Sequence, residues 1–171
     1  MSLFKIRHHL SPDILKILVQ AHVFPHLQYC SSVWGGASQS RLDRLQKVIH
    51  FAARLVSGLR KYDHVTPALV ALGWPSVREM IARRDAVNVH RALYAAAAPD
   101  SLRGMFRPRA AVSERATRAT AAGSAVLDMP RVRLAVARRQ FPYRAAASWN
   151  GLPREVTETA SRKQLEQHFR R

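Results

Sequence analysis

Apolar residues recur at helical spacing along most of this chain. Ser11-Pro12-Asp13 reads as a helix start, with a Ser cap, Pro at the first helical position and an acid in the first turn. From Ile14 to Phe24 the pattern is apolar almost all round, with Lys16 and Gln20 as a thin polar strip, which predicts a largely buried helix. Pro25 ends or kinks it. "HLQYCSSVWGG" continues as a short helix and breaks at Gly35-Gly36. The clearest helix runs from about Ser40 to Ser57 and stops at Gly58. Leu42, Leu45, Ile49, Ala52 and Val56 line one of its faces. Arg44, Lys47 and Arg54 fall opposite, with Phe51 among them.

Thr66-Pro67 opens a short helix through Leu72, and Trp74-Pro75-Ser76 opens a long one to about Ala97. Val77, Met80, Val87 and Tyr94 form one stripe of that helix, with Arg84 and Arg91 inside it. Ala82, Ala86, Val89 and Leu93 form a second. A helix apolar on two sides sits centrally in its bundle, so Arg84 and Arg91 are expected to be partly buried and to need partners or a bound anion. Pro99 ends this region. From Phe106 to Gly123 small residues, Arg, Ser and Thr predominate, as in a mobile basic linker. After Pro130, Val132, Leu134 and Val136 are set against the basic Arg131, Arg133 and Arg138, which predicts a short strand, with helix as the second choice. A turn at Gly151-Leu152-Pro153 leads to a last helix. Ser161 and Gln164 have capping-box spacing at its start, and Leu165 and Phe169 are its apolar side.

Charge changes this picture most. The 171 residues carry 28 Lys and Arg against 11 Asp and Glu, for a formal charge of +17 and a pI near 11.6. Such a surface attracts polyanions, and its Arg-rich composition favours phosphate recognition by RNA- or DNA-binding faces over charge that serves solubility alone. Cys30 is the single cysteine, which excludes an intrachain disulfide and fits a reducing compartment. No apolar run approaches the roughly 20 residues that span a bilayer. "MSLFKIRHHL" lacks the apolar run and cleavage site of a signal peptide, so no membrane association and a nuclear or cytoplasmic location are expected.

Residue types that carry chemistry are scarce. His22, His26 and Cys30 lie four residues apart, a spacing that can hold zinc on one helical face. Pro25 interrupts that face and no fourth ligand is evident, so packed polar residues are expected and no metal. No Gly-x-Ser-x-Gly elbow and no Gly-rich phosphate loop is present. Asp43, Glu79 and Asp85 are read as parts of charged helix faces, and no acids pair to hold divalent metals. No catalytic residue, cofactor or small-molecule substrate is predicted. "FPYRAAASWNGLPREV", Phe141 to Val156, concentrates aromatics near the C-terminus and leaves two readings open. Phe141, Tyr143 and Trp149 anchor the tail by burying aromatic area, or Tyr143 and Trp149 stack on unpaired bases while Arg138, Arg139 and Arg144 hold phosphates.

Four blocks in order resemble one family. They are "VFPHLQYCSSVWGGAS", with Pro25, Leu27, Tyr29, Val33, Trp34 and Gly35; "LDRLQKVIHFAARLVSG", with Leu42, Leu45, Gln46, Arg54 and Gly58; "TPALVALGWPSVREMIARR"; and the Phe141 stretch, with Tyr143, Arg144, Trp149, Asn150, Leu152 and Pro153. Together they span roughly Ser11 to Phe169 and resemble the C-terminal, post-palm and post-thumb region of non-LTR (LINE, jockey-like) retrotransposon reverse transcriptases. That family copies RNA into DNA with a palm bearing a Tyr-x-Asp-Asp motif and another metal-binding Asp. Neither occurs here, so the resemblance implies descent from an RNA-directed DNA polymerase without polymerase activity in this chain, as in a truncated element or an incomplete gene model starting at Met1.

The expected fold is mainly α, a small irregular helical bundle with a basic flexible linker and a short strand or hairpin before the C-terminal helices. The expected divisions are a basic segment 1–10, a helical domain 11–105, a linker 106–124 and a tail 125–171 that packs back. The expected function is accessory nucleic-acid binding, through Arg44, Lys47, Arg54, Arg84, Arg91, Arg133, Arg138, Arg139 and Arg144 with Tyr143 and Trp149. The rivals are a structural remnant that only packs against the palm and thumb of a parent polymerase, and a basic helical protein-interaction module.

Overall fold

The computed structural model describes residues 3–112, 125–158 and 161–169, and these are mainly helical. The chain divides into two compact units, Met1–Ser31 with Ala37–Met80, and Ser32–Gly36 with Ile81–Arg171.

In the first unit, Ser11 caps the helix Pro12–His22, its hydroxyl accepting from the Ile14 N–H at 3.4 Å. That helix packs on Phe24–Gln28 and on the long helix Gln39–Ser57, which packs in turn on Thr66–Leu72. Leu42, Ile49, Ala52 and Val56 are buried as their spacing predicts, joined by Ala53 and Leu55. Two glycines end helices in the left-handed region, Gly58 at φ 66° and Gly73 at φ 64°. At Gly73 both bonds of a Schellman turn form: Gly73 N–H to Val70 O and Trp74 N–H to Leu69 O, each 3.0 Å. This turn delivers the buried Trp74 onto Phe24, ring centroids 5.1 Å apart and 78° between planes. Immediately after it Ser76 and Glu79 form a reciprocal capping box: Ser76 Oγ accepts from Glu79 N–H at 3.2 Å, and Glu79 Oε2 accepts from Ser76 N–H at 2.7 Å. The helix it starts, Val77–Tyr94, begins in the first unit and continues in the second.

In the second unit one core gathers Ala86, Val89 and Ala92 from that helix, Ala145, Ala146 and Trp149 from Phe141–Asn150, Leu165 from Arg162–His168, and the loop residues Phe106 and Leu127. Phe106 and Phe141 meet edge to face at 5.5 Å. Of the stretch read as a linker, 106–112 is described: Phe106 is buried, Pro108 bridges Leu127, and Arg109–Val112 makes one helical turn. The rest of it, 113–124, lies outside the described residues.

Four expectations are corrected. The helix Pro12–His22 is not largely buried: only Leu15 and Val19 are, while Ile14 and Ile17 are 46% and 63% exposed, because its neighbours cover one side alone. Arg84 and Arg91 are exposed, not partly buried. The buried face of their helix runs through Ile81, Asp85, Val89 and Ala92, and an acid at a core position hides that face from a hydrophobicity pattern. Asp85 is therefore no member of a charged outer face. The strand expected at Val132 to Val136 does not form; among the described residues the only ladder is the isolated Pro108–Leu127 bridge. Ala135–Arg139 is helical, with Leu134 and Val136 exposed, so the alternation has no apolar partner face to pair against.

The first unit also holds a titratable pair of hydrogen bonds on Gln46. Gln46 Oε1 accepts from the Val77 N–H at 2.9 Å, which leaves its amide to donate to His50 Nε2 at 3.0 Å. His50 Nε2 is then an unprotonated acceptor. Burial, and secondarily the Arg54 charge, lowers its pKa below the usual value. The folded state thus binds this proton less well than the unfolded chain, and stability falls as pH drops through the ordinary His range. Urea midpoints are expected to decline from pH 7.5 to 5.5, and to decline less in His50→Leu. An equal decline in both proteins refutes this assignment.

Candidate nucleic-acid interface

The residues expected to contact nucleic acid separate into those that the fold exposes and those that it consumes. On Gln39–Ser57, Arg44 and Lys47 are exposed. Arg54 is half-buried and tied to the loop beyond the helix, Nη2 donating to the Asp63 carbonyl at 3.2 Å. The Asp63 carboxylate in turn accepts from the Arg60 N–H at 2.7 Å, so this acid shapes the loop. In the second unit Arg84, Arg91, Arg133, Arg138 and Arg139 are all exposed. Arg138 and Arg139 occupy the last turn of Ala135–Arg139, where cations suit the helix dipole. Tyr143 is half-buried in the first turns of Phe141–Asn150.

Arg144 has a different job. Its Nε and Nη2 bind the two oxygens of Asp85 at 2.7 and 3.2 Å. Nη2 also donates to the Ser32 carbonyl at 2.9 Å, and Nη1 to the Arg139 carbonyl at 2.8 Å. Every nitrogen of the guanidinium is engaged, against a carboxylate with no solvent exposure. Burial pushes the Asp85 carboxyl above its ordinary range, and the Arg144 guanidinium pulls against that shift. The same neighbourhood explains Gly36. A Cβ there would lie 2.6 Å from the Arg139 carbonyl oxygen, so no side chain fits unless the backbone moves.

Trp149 is fully buried, with its indole N–H donating to the Ala125 carbonyl at 3.0 Å. A ring without exposed surface does not stack on a base, and the anchoring reading of the Trp-Asn stretch is the one its geometry fits. Asn150 completes the anchor. Its Oδ1 accepts from the Leu127 N–H at 2.8 Å and its amide donates to the Leu127 carbonyl at 3.0 Å. The side chain thus pairs both backbone groups of Leu127 as a neighbouring strand would, and Leu127 is seated in the core. Sequence reasoning found Trp149 and Asn150 but missed Asp85. The available signal was its spacing: Ile81, Asp85 and Val89 lie four apart on one face.

His22, His26 and Cys30 are each exposed, not packed as expected, and no three metal-capable side chains cluster among the described residues. None of the described helices is long and apolar enough to cross a membrane.

Mutations should separate structural from surface arginines. Arg144→Ala strands a buried carboxylate and is expected to lower unfolding stability by about 3 kcal/mol. Arg84→Ala and Arg91→Ala should stay within about 0.5 kcal/mol of the parent. Asn150→Ala leaves two backbone groups of Leu127 unpaired and should cost roughly 2 kcal/mol. Denaturant unfolding measures all four, and a neutral Arg144→Ala would contradict the buried-pair assignment. Comparison with protein-family models, curated proteins and solved structures finds no match to this chain.

Proposed function

We propose that this chain binds RNA or DNA through its phosphates, as the accessory C-terminal region of a non-LTR retrotransposon reverse transcriptase whose catalytic palm lies outside it. The observation that carries this reading is the disposition of charge. If every one of the 11 acids were paired, 28 − 11 = 17 cations would still remain. Several of the acids are also committed to local structure: Asp63 to a loop, Glu79 to a helix cap and Asp85 to Arg144. The surplus lies at exposed positions in both units, Arg44 and Lys47 in one, Arg84, Arg91, Arg133, Arg138 and Arg139 in the other. Contacts of this kind position a strand without reading its sequence. Catalysis would belong to the parent polymerase, and a nuclear or cytoplasmic location accords with that role. Arg144 and Trp149 drop out of the contact set and act by holding the second unit together.

A second reading, packing against the palm and thumb of a parent polymerase, is favoured by the exposed Ile14 and Ile17 on Pro12–His22. The two readings are compatible, because the apolar residues and the exposed arginines are different groups.

Fluorescence anisotropy with single-stranded RNA and with an RNA–DNA hybrid tests the phosphate reading. Log K should fall linearly and steeply with log salt. Arg138→Ala with Arg139→Ala should reduce the slope by about 2, one for each lost phosphate contact. Weak binding, or a slope that ignores both changes, refutes the proposal.

A further inference from the structure

In the second unit one stretch of chain exposes apolar and basic side chains together. Residues 131–133 lie in no helix, and Leu134 is extended at φ −90° and ψ 139° before the helix Ala135–Arg139 begins. Arg131 and Arg133 are exposed while Val132 between them is half-buried, the alternation of an extended segment held down on one side. Leu134 is 71% exposed, and the exposed Val136 follows it on the first helical turn. Arg138 and Arg139, both exposed, end that helix. The ion pairs among the described residues engage Arg83, Arg144 and Arg162 and none of these four arginines. A leucine left in water among unpaired cations marks a surface for an anionic partner that also offers apolar contact.

We infer that this segment enters the minor groove of a DNA duplex, with Arg131 and Arg133 in the groove, Leu134 wedged at a base-pair step, and Arg138 and Arg139 on the flanking phosphates. The inference rests on the phosphate-binding reading above and deepens it by naming the form of nucleic acid and the groove. Shape selects the groove. An extended chain suits a groove roughly 6 Å wide, whereas a helix needs the major groove at roughly 12 Å. Arginines two residues apart on an extended chain are about 7 Å apart and point the same way, so both enter together. The negative potential of a narrow minor groove draws guanidinium groups. The wedge selects duplex over single strand. A single-strand site stacks bases on exposed aromatic rings. In this unit Phe106 and Trp149 are buried and Phe141 packs against their core, so what the segment exposes is aliphatic. Aliphatic wedges act by prising apart stacked base pairs. An A-form RNA helix has a wide, shallow minor groove that gives an extended segment no such grip.

The test uses the full chain and an A·T-rich DNA duplex with a central TA step, the kind of step that unstacks most readily. Anisotropy compares the duplex with its single strand, and energy transfer between labelled duplex ends reads bending. The duplex should bind more tightly, energy transfer should rise on binding, and netropsin, which fills the minor groove, should displace the chain. Leu134→Ala should weaken duplex binding roughly tenfold and abolish the rise while the salt slope is kept. Leu134→Phe should restore both, since a phenyl ring also serves as a wedge. Leu134 is largely exposed, so neither change should disturb folding, and circular dichroism checks this. Arg131→Ala with Arg133→Ala should lower the salt slope by about 2. If duplex and single strand bind equally, or the duplex stays straight, or netropsin does not compete, the inference is overturned and the phosphate reading stands. If bending survives Leu134→Ala, the wedge lies elsewhere and the inference is again overturned. If Leu134→Ala releases the chain from phosphatidylserine vesicles and leaves duplex binding intact, the patch is a lipid contact instead. If RNA binds at low salt and DNA does not, this inference alone falls; if no nucleic acid binds, both readings fall together.

Discussion

A carboxylate removed from water must be answered by a cation with good geometry, and Asp85 is answered by Arg144, 59 residues further along the chain. The rest of the second unit depends on that pairing. Arg144 faces Asp85 with two nitrogens and also takes the carbonyls of Ser32 and Arg139. One side chain therefore collects a short segment from early in the sequence, the middle of the Val77–Tyr94 helix and the end of Ala135–Arg139. Ser32 is held a second time, its hydroxyl accepting from the Asn88 amide at 2.8 Å. Such a network is demanding, because each group in it is expensive if its partner is lost. It also specifies geometry in a way that the small alanines around it do not.

The Trp-Asn pair acts in the same unit by a different route. Trp149 supplies buried area, and its indole N–H together with the Asn150 amide binds three backbone groups in 125–127. Leu127 thereby enters the core although no strand carries it there. Phe141 and Trp149 near the C-terminus are thus explained by packing. Exposed Arg138 and Arg139 lie on the short helix whose final carbonyl anchors Arg144, so the structural and the exposed cations are adjacent in sequence while their roles are opposite.

Helix ends were legible because caps are local. Ser11, Gly58 and Thr66 mark real boundaries, and the Ser76–Glu79 box shows in its spacing. The buried face of Gln39–Ser57 was legible for the same reason that amphipathic helices generally are: its apolar residues share one stripe. Failures occurred where a distant partner decides. Asp85 looks like a surface acid until Arg144 is beside it, and that single reversal misplaced Arg84 and Arg91. Val132, Leu134 and Val136 alternate like a strand, but a strand needs a neighbour to pair with, and the arginines between them give no apolar second face. For the candidate site, the exposed cations were legible as a class. Which arginines are free to meet a phosphate was not, because that depends on where the acids fold.

The placement of acids is what makes the surface cationic in effect as well as in sum. Had the same carboxylates been interspersed among exposed arginines, they would have formed weak surface pairs and dampened the field that a strand meets. Instead Asp63, Glu79 and Asp85 serve a loop, a cap and a buried pair. Of the three only Asp85 is buried, so its charge is the one withdrawn from the surface that a polyanion would meet. On the reading proposed above, a chain arranged this way would hold a strand by its phosphates with little regard to base sequence.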